Sequence, residues 1–275
     1  MIKRVAIQGI EGSFHYIVAK SYFDEPVEIC PYLSFSDVVD SLISKNTDIA
    51  IIALENSIAG SIIPNYAHID HQDLHITGEF FLEIQHNLMA LGRQKISDIK
   101  EVLSHPMALL QCKEFFRHHP HIKLIEDSDT AEVARRIQNN QIMGVAAIAS
   151  KEAARIFNLN ILKQSIQTIK HNETRFVIVE RILEPKNTNL VNKASVKFLL
   201  DHKRGSLAAM LNVMSDCNLN LTKIQSLPKI DTPWKYAFFV DITFKSFSDY
   251  EKGKAIMEIM AEEFKILGEY KNAKN

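Results

Sequence analysis

The run Ile49-Ala50-Ile51-Ile52-Ala53-Leu54 leaves the chain little choice of architecture. It is apolar throughout and rich in β-branched residues, so it reads as a strand buried on both faces, and such strands belong to parallel sheets covered by helices. The neighbouring segments agree. Val5-Ala6-Ile7 is a short strand, and Ser13 caps a helix whose apolar positions Ile17, Val18 and Tyr22 recur at helical spacing. Val27-Glu28-Ile29 is a strand and residues 36–44 a helix. The class is α/β, and Glu55-Asn56-Ser57 falls at the carboxyl end of a central strand, where open α/β sheets bind ligands. By propensity alone, Asn56 and Ser57 cap a following helix.

From residue 79 to 91 the apolar residues Phe80, Leu82, Ile84 and Leu88 predict one long strand crossing into a second lobe. Strand and helix signals then repeat. Val102-Leu103 precedes a helix with Pro106 in its first turn, and Lys123-Leu124-Ile125 precedes a helix opening on the capping-box pattern Asp129-Thr130-Ala131-Glu132. Val145-Ala146-Ala147-Ile148 precedes a helix over 150–157. The chain runs on through Asn160-Ile161-Leu162 and returns along residues 174–180, which are expected to rejoin the first sheet. Lobe 1 is thus set at about 1–78 and 168–183 and lobe 2 at about 79–167, with a cleft between them suited to a small ligand. Residues 181–193 are polar and aperiodic, and the linker is placed at 184–193. Strands at 195–200, 220–225, 234–243 and 265–270, with helices at 205–217 and 248–264, give the βαββαβ order of a ferredoxin-like unit over 194–275.

A chain of 275 residues has room for more than one domain. Its net charge of -1 offers no basic field for a nucleic-acid backbone, which points to a small-molecule partner. No apolar run approaches a membrane span and no secretory signal is present, so the chain reads as cytoplasmic. Cys30, Cys112 and Cys217 are far apart and lack metal or disulfide spacing; buried free thiols are expected. His68, His71 and His75, and His118, His119 and His121, match no metal-ligand pattern and read as solvated. Neither metal nor cofactor is expected. Gly9 and Gly12 lack the rest of a dinucleotide fingerprint, although a tight turn facing a ligand anion fits them.

Four stretches in order, Gly9-Ile10-Glu11-Gly12-Ser13-Phe14, Glu55-Asn56-Ser57, Ser104-His105-Pro106 through Gln111, and Thr174-Arg175-Phe176, closely resemble the prephenate dehydratase family. The resemblance covers nearly the whole chain and implies a two-lobed, periplasmic-binding-protein-like catalytic domain over 1–183 with an interlobe cleft. It also implies the decarboxylating dehydration of prephenate to phenylpyruvate. That reaction needs a donor at the departing hydroxyl, groups that hold two carboxylates, and a dry pocket for the carboxylate that leaves. The match to the family motif makes Thr174 the donor, with a connected group or water supplying the proton; Glu55 is the candidate for that group, its other reading being to orient Asn56. Asn56, Ser57, Ser104, Gln111, Arg175 and Phe176 are placed at the substrate. For Ser104 a plain helix cap competes, and for Arg175 an ion pair on the opposite side of the strand does.

The C-terminal part resembles the ACT regulatory domain. Arg204-Gly205-Ser206-Leu207 matches its glycine-and-leucine motif, and the segment with Gln225, Ser226 and Leu227 stands where the family usually carries Glu-Ser-Arg-Pro. By resemblance Gly205, Ser206, Leu207, Gln225 and Ser226 would bind phenylalanine between paired units, giving a feedback-inhibited homodimer or homotetramer. The chorismate mutase segment fused ahead of some relatives is missing from the sequence, so a monofunctional enzyme is expected. Two other readings compete: arogenate dehydratase, and a non-enzymatic two-lobed metabolite-binding or sensing protein.

Overall fold

The computed structural model describes all residues except 1, 73, 182–187, 230, 231, 233, 234 and 275. It divides into two compact units, Met1–Gly60 with Phe81–Phe176 and Ser61–Phe80 with Val177–Asn275. The chain opens with β1 (Arg4–Gln8), α1 (Phe14–Tyr22), β2 (Glu28–Tyr32), α2 (Phe35–Ile43), β3 (Ile49–Asn56) and the two-residue β4 (Gly60–Ser61). It continues through α3 (Ile63–His71), β5 (His75–Glu83), β6 (Asn87–Ala90), β7 (Glu101–Ser104), α4 (Pro106–Gln111), α5 (Lys113–Arg117) and β8 (Lys123–Glu126). Next come α6 (Thr130–Asn139), β9 (Val145–Ala149), α7 (Lys151–Ile156), β10 (Asn160–Lys163) and β11 (Glu173–Glu180). The last elements are β12 (Lys193–Leu199), α8 (Ser206–Asp216), β13 (Asn220–Pro228), β14 (Tyr236–Thr243), α9 (Phe247–Met260) and β15 (Glu263–Tyr270).

In the first unit, β1 lies between β2 and β3 and pairs parallel with both, and the residues of β3 from Ile49 to Leu54 are buried. This is the doubly covered strand that its uninterrupted apolar run requires. The start of β11 lies beside the end of β3, tied by the Ser57 N–H to the Glu173 carbonyl at 2.8 Å. A second, five-stranded sheet runs β10-β6-β9-β7-β8. These are the two α/β lobes, and Gly12 locks them where they meet. Its φ of +83° suits glycine, and a Cβ there would stand 2.8 Å from the Ala153 Cα. The Ser150 hydroxyl donates to the Gly12 carbonyl at 2.6 Å, joining the start of α7 to the loop before α1.

The expected single strand over 79–91 is two strands in two sheets. The break at residues 84–86 is held by side chain and backbone: the His86 N–H donates to Gln167 Oε1 at 3.1 Å and the Ile84 N–H to the Asn172 carbonyl at 2.6 Å.

In the second unit the order β13-β14-β12-β15, with α8 and α9, realises the βαββαβ pattern. β15 also pairs parallel with β5 through Gly268 and Ile76; a Cβ on Gly268 would overlap the Ile76 carbonyl oxygen, so only glycine permits that approach. The residues 61–80 group with the C-terminal elements, which differs from a boundary at 183. Buried ion pairs explain the grouping: Lys193 reaches Glu79 at 2.8 Å and Lys197 reaches Asp70 at 2.6 Å. Of the expected linker, 184–187 lie outside the described residues, as does Trp234 at the start of an expected strand.

Candidate active site

Asn56 ends β3 and folds its side chain back on the following turn. Its Oδ1 accepts from the N–H groups of Ile58 at 3.0 Å and Ala59 at 2.9 Å, so it closes an Asx turn, and the helix it was expected to cap is absent. That fixes which end of the amide is nitrogen. Nδ2 donates to Asn172 Oδ1 at 2.7 Å and to Thr174 Oγ1 at 2.9 Å, with a longer contact to the Glu173 carbonyl at 3.3 Å.

The same polarity carries on across to the second lobe. Asn172 Nδ2 donates to Gln111 Oε1 at 2.9 Å, and His86 Nε2 lies 2.9 Å from that oxygen. Asn172 is fully buried and Asn56 and Thr174 nearly so, which makes each of these bonds costly to leave unmade. Two donor groups are left over. Thr174 Oγ1 accepts from Asn56, and among the described residues no acceptor takes its own hydrogen; Gln111 Nε2 likewise bonds to none of them.

Strand alternation sorts the other expected residues. Along β3, Glu55 points to the face opposite Asn56, and along β11, Arg175 points opposite Thr174. Arg175 is buried, and Phe176 packs edge-on against His15 with ring centroids 4.9 Å apart. Ser57 Oγ accepts from the Glu173 N–H at 2.9 Å and so pins the start of β11 to the end of β3. Ser104, fully buried at the end of β7, donates to the Ile148 carbonyl at 2.7 Å, and the cap of α4 is the His105 side chain beside it. The structure therefore brings Asn56, Thr174 and Gln111 into one network, while the Ser104 proton is spent inside the second sheet.

Asn172 and His86 complete the network, and neither was singled out from the sequence. Asn172 had a signal: it stands two residues before Thr174 in an extended segment, so both side chains face the same way. His86 had none, because it lies in the unforeseen break between β5 and β6. Burial holds its imidazole below the ordinary range. Cys112, next to Gln111, is pushed up to about 12 by burial and is no nucleophile. Among the described residues no group of three His, Cys, Asp or Glu side chains is placed to hold a metal, and no helix is long and apolar enough to cross a membrane.

The family model for prephenate dehydratase matches residues 5–182. The chain belongs to the prephenate dehydratase family. As a member of that family it is a lyase. It is 39% identical over 225 residues to arogenate dehydratase 2 of Petunia hybrida, covering 82% of this chain and 57% of that protein's length. It is 34% identical to arogenate dehydratase/prephenate dehydratase 2 of Arabidopsis thaliana, a chloroplastic protein, over 97% of this chain and 72% of the relative.

Among solved structures, prephenate dehydratase from Staphylococcus aureus superposes with a TM-score of 0.83 at 26% identity, covering 97% of this chain and 99% of the other. Prephenate dehydratase from Arthrobacter aurescens, in complex with L-Phe, gives 0.85 at 24% identity over 98% and 90% of the two chains. A quorum-quenching acylase, GqqA, gives 0.87 at 21% identity over 98% of both, a likeness of fold alone. The two-lobed catalytic fold expected from the sequence is thus the fold of prephenate dehydratase.

Proposed function

We propose that the chain converts prephenate to phenylpyruvate, carbon dioxide and water, with Thr174 hydrogen-bonding the departing hydroxyl. The observation that carries this is the direction of one bond: Asn56 Nδ2 donates to Thr174 Oγ1 at 2.9 Å, which occupies the oxygen as an acceptor and leaves its hydrogen to be given away. In the reaction the bond from ring carbon to carboxylate breaks, its electron pair completes the aromatic ring, and the carbon–oxygen bond opposite breaks. Hydroxide leaves with a proton as water. A positioned donor at that oxygen is the group the barrier most needs, and removing one such donor costs roughly 10²–10³ in turnover.

Asn56, Asn172 and Gln111 serve by polarity. Their oxygens are all used as acceptors within the network, so what the site offers a ligand is donors, as two carboxylates and a leaving oxygen require. Gln111 holds a substrate carboxylate through Nε2, Ser57 contributes its hydroxyl, and Ser104 and Phe176 shape the walls. A threonine is too weak an acid to supply the proton, which passes through its hydroxyl from water, since Glu55 faces the other side of β3. Arg175 adds positive charge from the far face of β11.

Arogenate is the second substrate to test, because the petunia and Arabidopsis relatives are named for it. The purified protein is given each compound, and phenylpyruvate and phenylalanine are followed separately. Phenylpyruvate from prephenate is the expected product; turnover of arogenate alone would overturn the choice.

The C-terminal unit is read as an ACT domain binding phenylalanine. Gly205 precedes α8 at a φ of +87°, and Ser206 and Leu207 line a cavity of about 180 Å³ with His202, Lys203, Tyr236 and Phe238. The bound L-Phe of the Arthrobacter enzyme supports the ligand. Gln225 and Ser226 stand on β13, the edge strand among the described residues, whose outer side suits pairing with a second copy in a homodimer or homotetramer. Three free cysteines fit a reducing compartment such as the cytoplasm. Excess phenylalanine should inhibit, and unchanged activity would remove the regulatory role.

A further inference from the structure

We propose that His86 is a positioning residue: its Nε2–H donates to Gln111 Oε1 and locks that amide with its nitrogen turned to the substrate. The inference rests on the assignment of Gln111 to substrate binding and adds what makes that binding directional. A glutamine amide presents its oxygen or its nitrogen with little difference in shape, so something must choose. Here two donors choose. Asn172 Nδ2 meets Gln111 Oε1 at 2.9 Å, and its own direction is fixed by Asn56 and, behind it, by the Ile58 and Ala59 N–H groups. An atom that accepts from Asn172 is the oxygen, and His86 Nε2, 2.9 Å from the same atom, has to be the protonated nitrogen.

The other ring nitrogen agrees. His86 Nδ1 is buried and has no hydrogen-bond partner among the described residues, so a proton there would be stranded and the Nε2–H tautomer is selected. The ring is held in place by the edge-on contact with Phe14, centroids 5.8 Å apart, and by its backbone N–H on Gln167. Placed in the break between β5 and β6, His86 reaches α4 of the second lobe. It touches no reacting atom. It acts through Gln111, converting an ambivalent amide into a pair of donors suited to a carboxylate.

Replacing the ring with an amide at either reach separates this from a packing role. Glutamine reproduces the reach of Nε2 and asparagine that of Nδ1. His86→Asn should raise KM for prephenate about tenfold, the size of one lost hydrogen bond, with kcat changed less than about threefold. His86→Gln should stay within about threefold of the parent KM. Equal effects from the two variants, or a loss confined to kcat, would overturn the proposal. Gln111→Leu is the control: if it leaves KM unchanged, the substrate role of Gln111 fails and the clamp falls with it, whereas a raised KM there beside a normal His86→Asn condemns the clamp alone. Nitrogen-15 NMR of the parent protein tests the ring without any variant. A protonated Nε2 and a bare Nδ1 are expected at neutral pH; the opposite tautomer would exclude the proposed donor.

Discussion

Asn56 and Asn172 in the first unit are buried as deeply as Asp70 and Glu79 in the second, yet the two sets spend their polarity differently. In the second unit these two carboxylates are charged and are matched by lysines. Glu79 takes Lys193 Nζ on both oxygens, at 2.9 and 2.8 Å, and the Ala273 N–H at 3.2 Å; Asp70 takes Lys197 at 2.6 Å and Lys265 at 3.7 Å. Such a cluster holds elements together. In the first unit the groups are neutral, run in one direction and end on unspent donors at Thr174 and Gln111. Where the carboxylates of a buried cluster are answered by the protein the role is structural, and where donors are left over they can meet a ligand.

The largest expected effect breaks the matched side. Glu79→Ala strands Lys193 and should cost about 3–5 kcal/mol of stability, read as a lower midpoint in urea unfolding. A loss under 1 kcal/mol would mean the pair is not what ties residues 61–80 to the C-terminal elements.

Next is the direction of the neutral side. Asn56→Asp keeps the shape but turns a donor into an acceptor, which would capture the Thr174 proton. Turnover should fall about 10²–10³-fold. Full activity in that variant would show that the direction of the network is irrelevant.

The smallest effect follows from His15, buried in the first unit between Phe35 and Phe176 with Nε2 unpartnered among the described residues. Burial lowers its pKa from 6.5 to about 3, so the unfolded chain takes a proton that the folded one refuses. Its neutral state is compatible with the fold above pH 6.5, and between there and pH 3 stability drains away as pH falls, at about 1.4 kcal/mol per pH unit. Urea unfolding at pH 7.5 and 5.5 should show the parent losing more than His15→Leu by about 1.4 kcal/mol. Parallel losses would mean that His15 keeps its proton when folded.

Much of this was legible beforehand, for reasons that can be named. The run over 49–54 dictates a doubly covered strand, and capping residues Ser13, Asp129 and Ser150 mark helix starts because each must answer an orphan N–H. The alternation over 79–91 predicts one strand, whereas the break at 84–86 is held by Gln167 and Asn172, which are far away in sequence. Helix α3 carries no sequence signal: its N-cap, Ile62, makes no side-chain cap, and its four buried residues include Asn65 and Asp70, so its inner face is not an apolar stripe. At the site, Thr174, Asn56 and Gln111 were found through the family motif, while the direction of their hydrogen bonds is set by atoms no sequence pattern records.

The most direct measurement compares Thr174→Val with Thr174→Ser under saturating prephenate. Valine keeps the shape of the side chain and removes the hydroxyl, so kcat should fall about 10²–10³-fold with KM little changed, while serine, which keeps the donor, should remain within about tenfold of the parent. Near-parental turnover by Thr174→Val, or equal losses in the two variants, would contradict the assignment of the departing hydroxyl to Thr174.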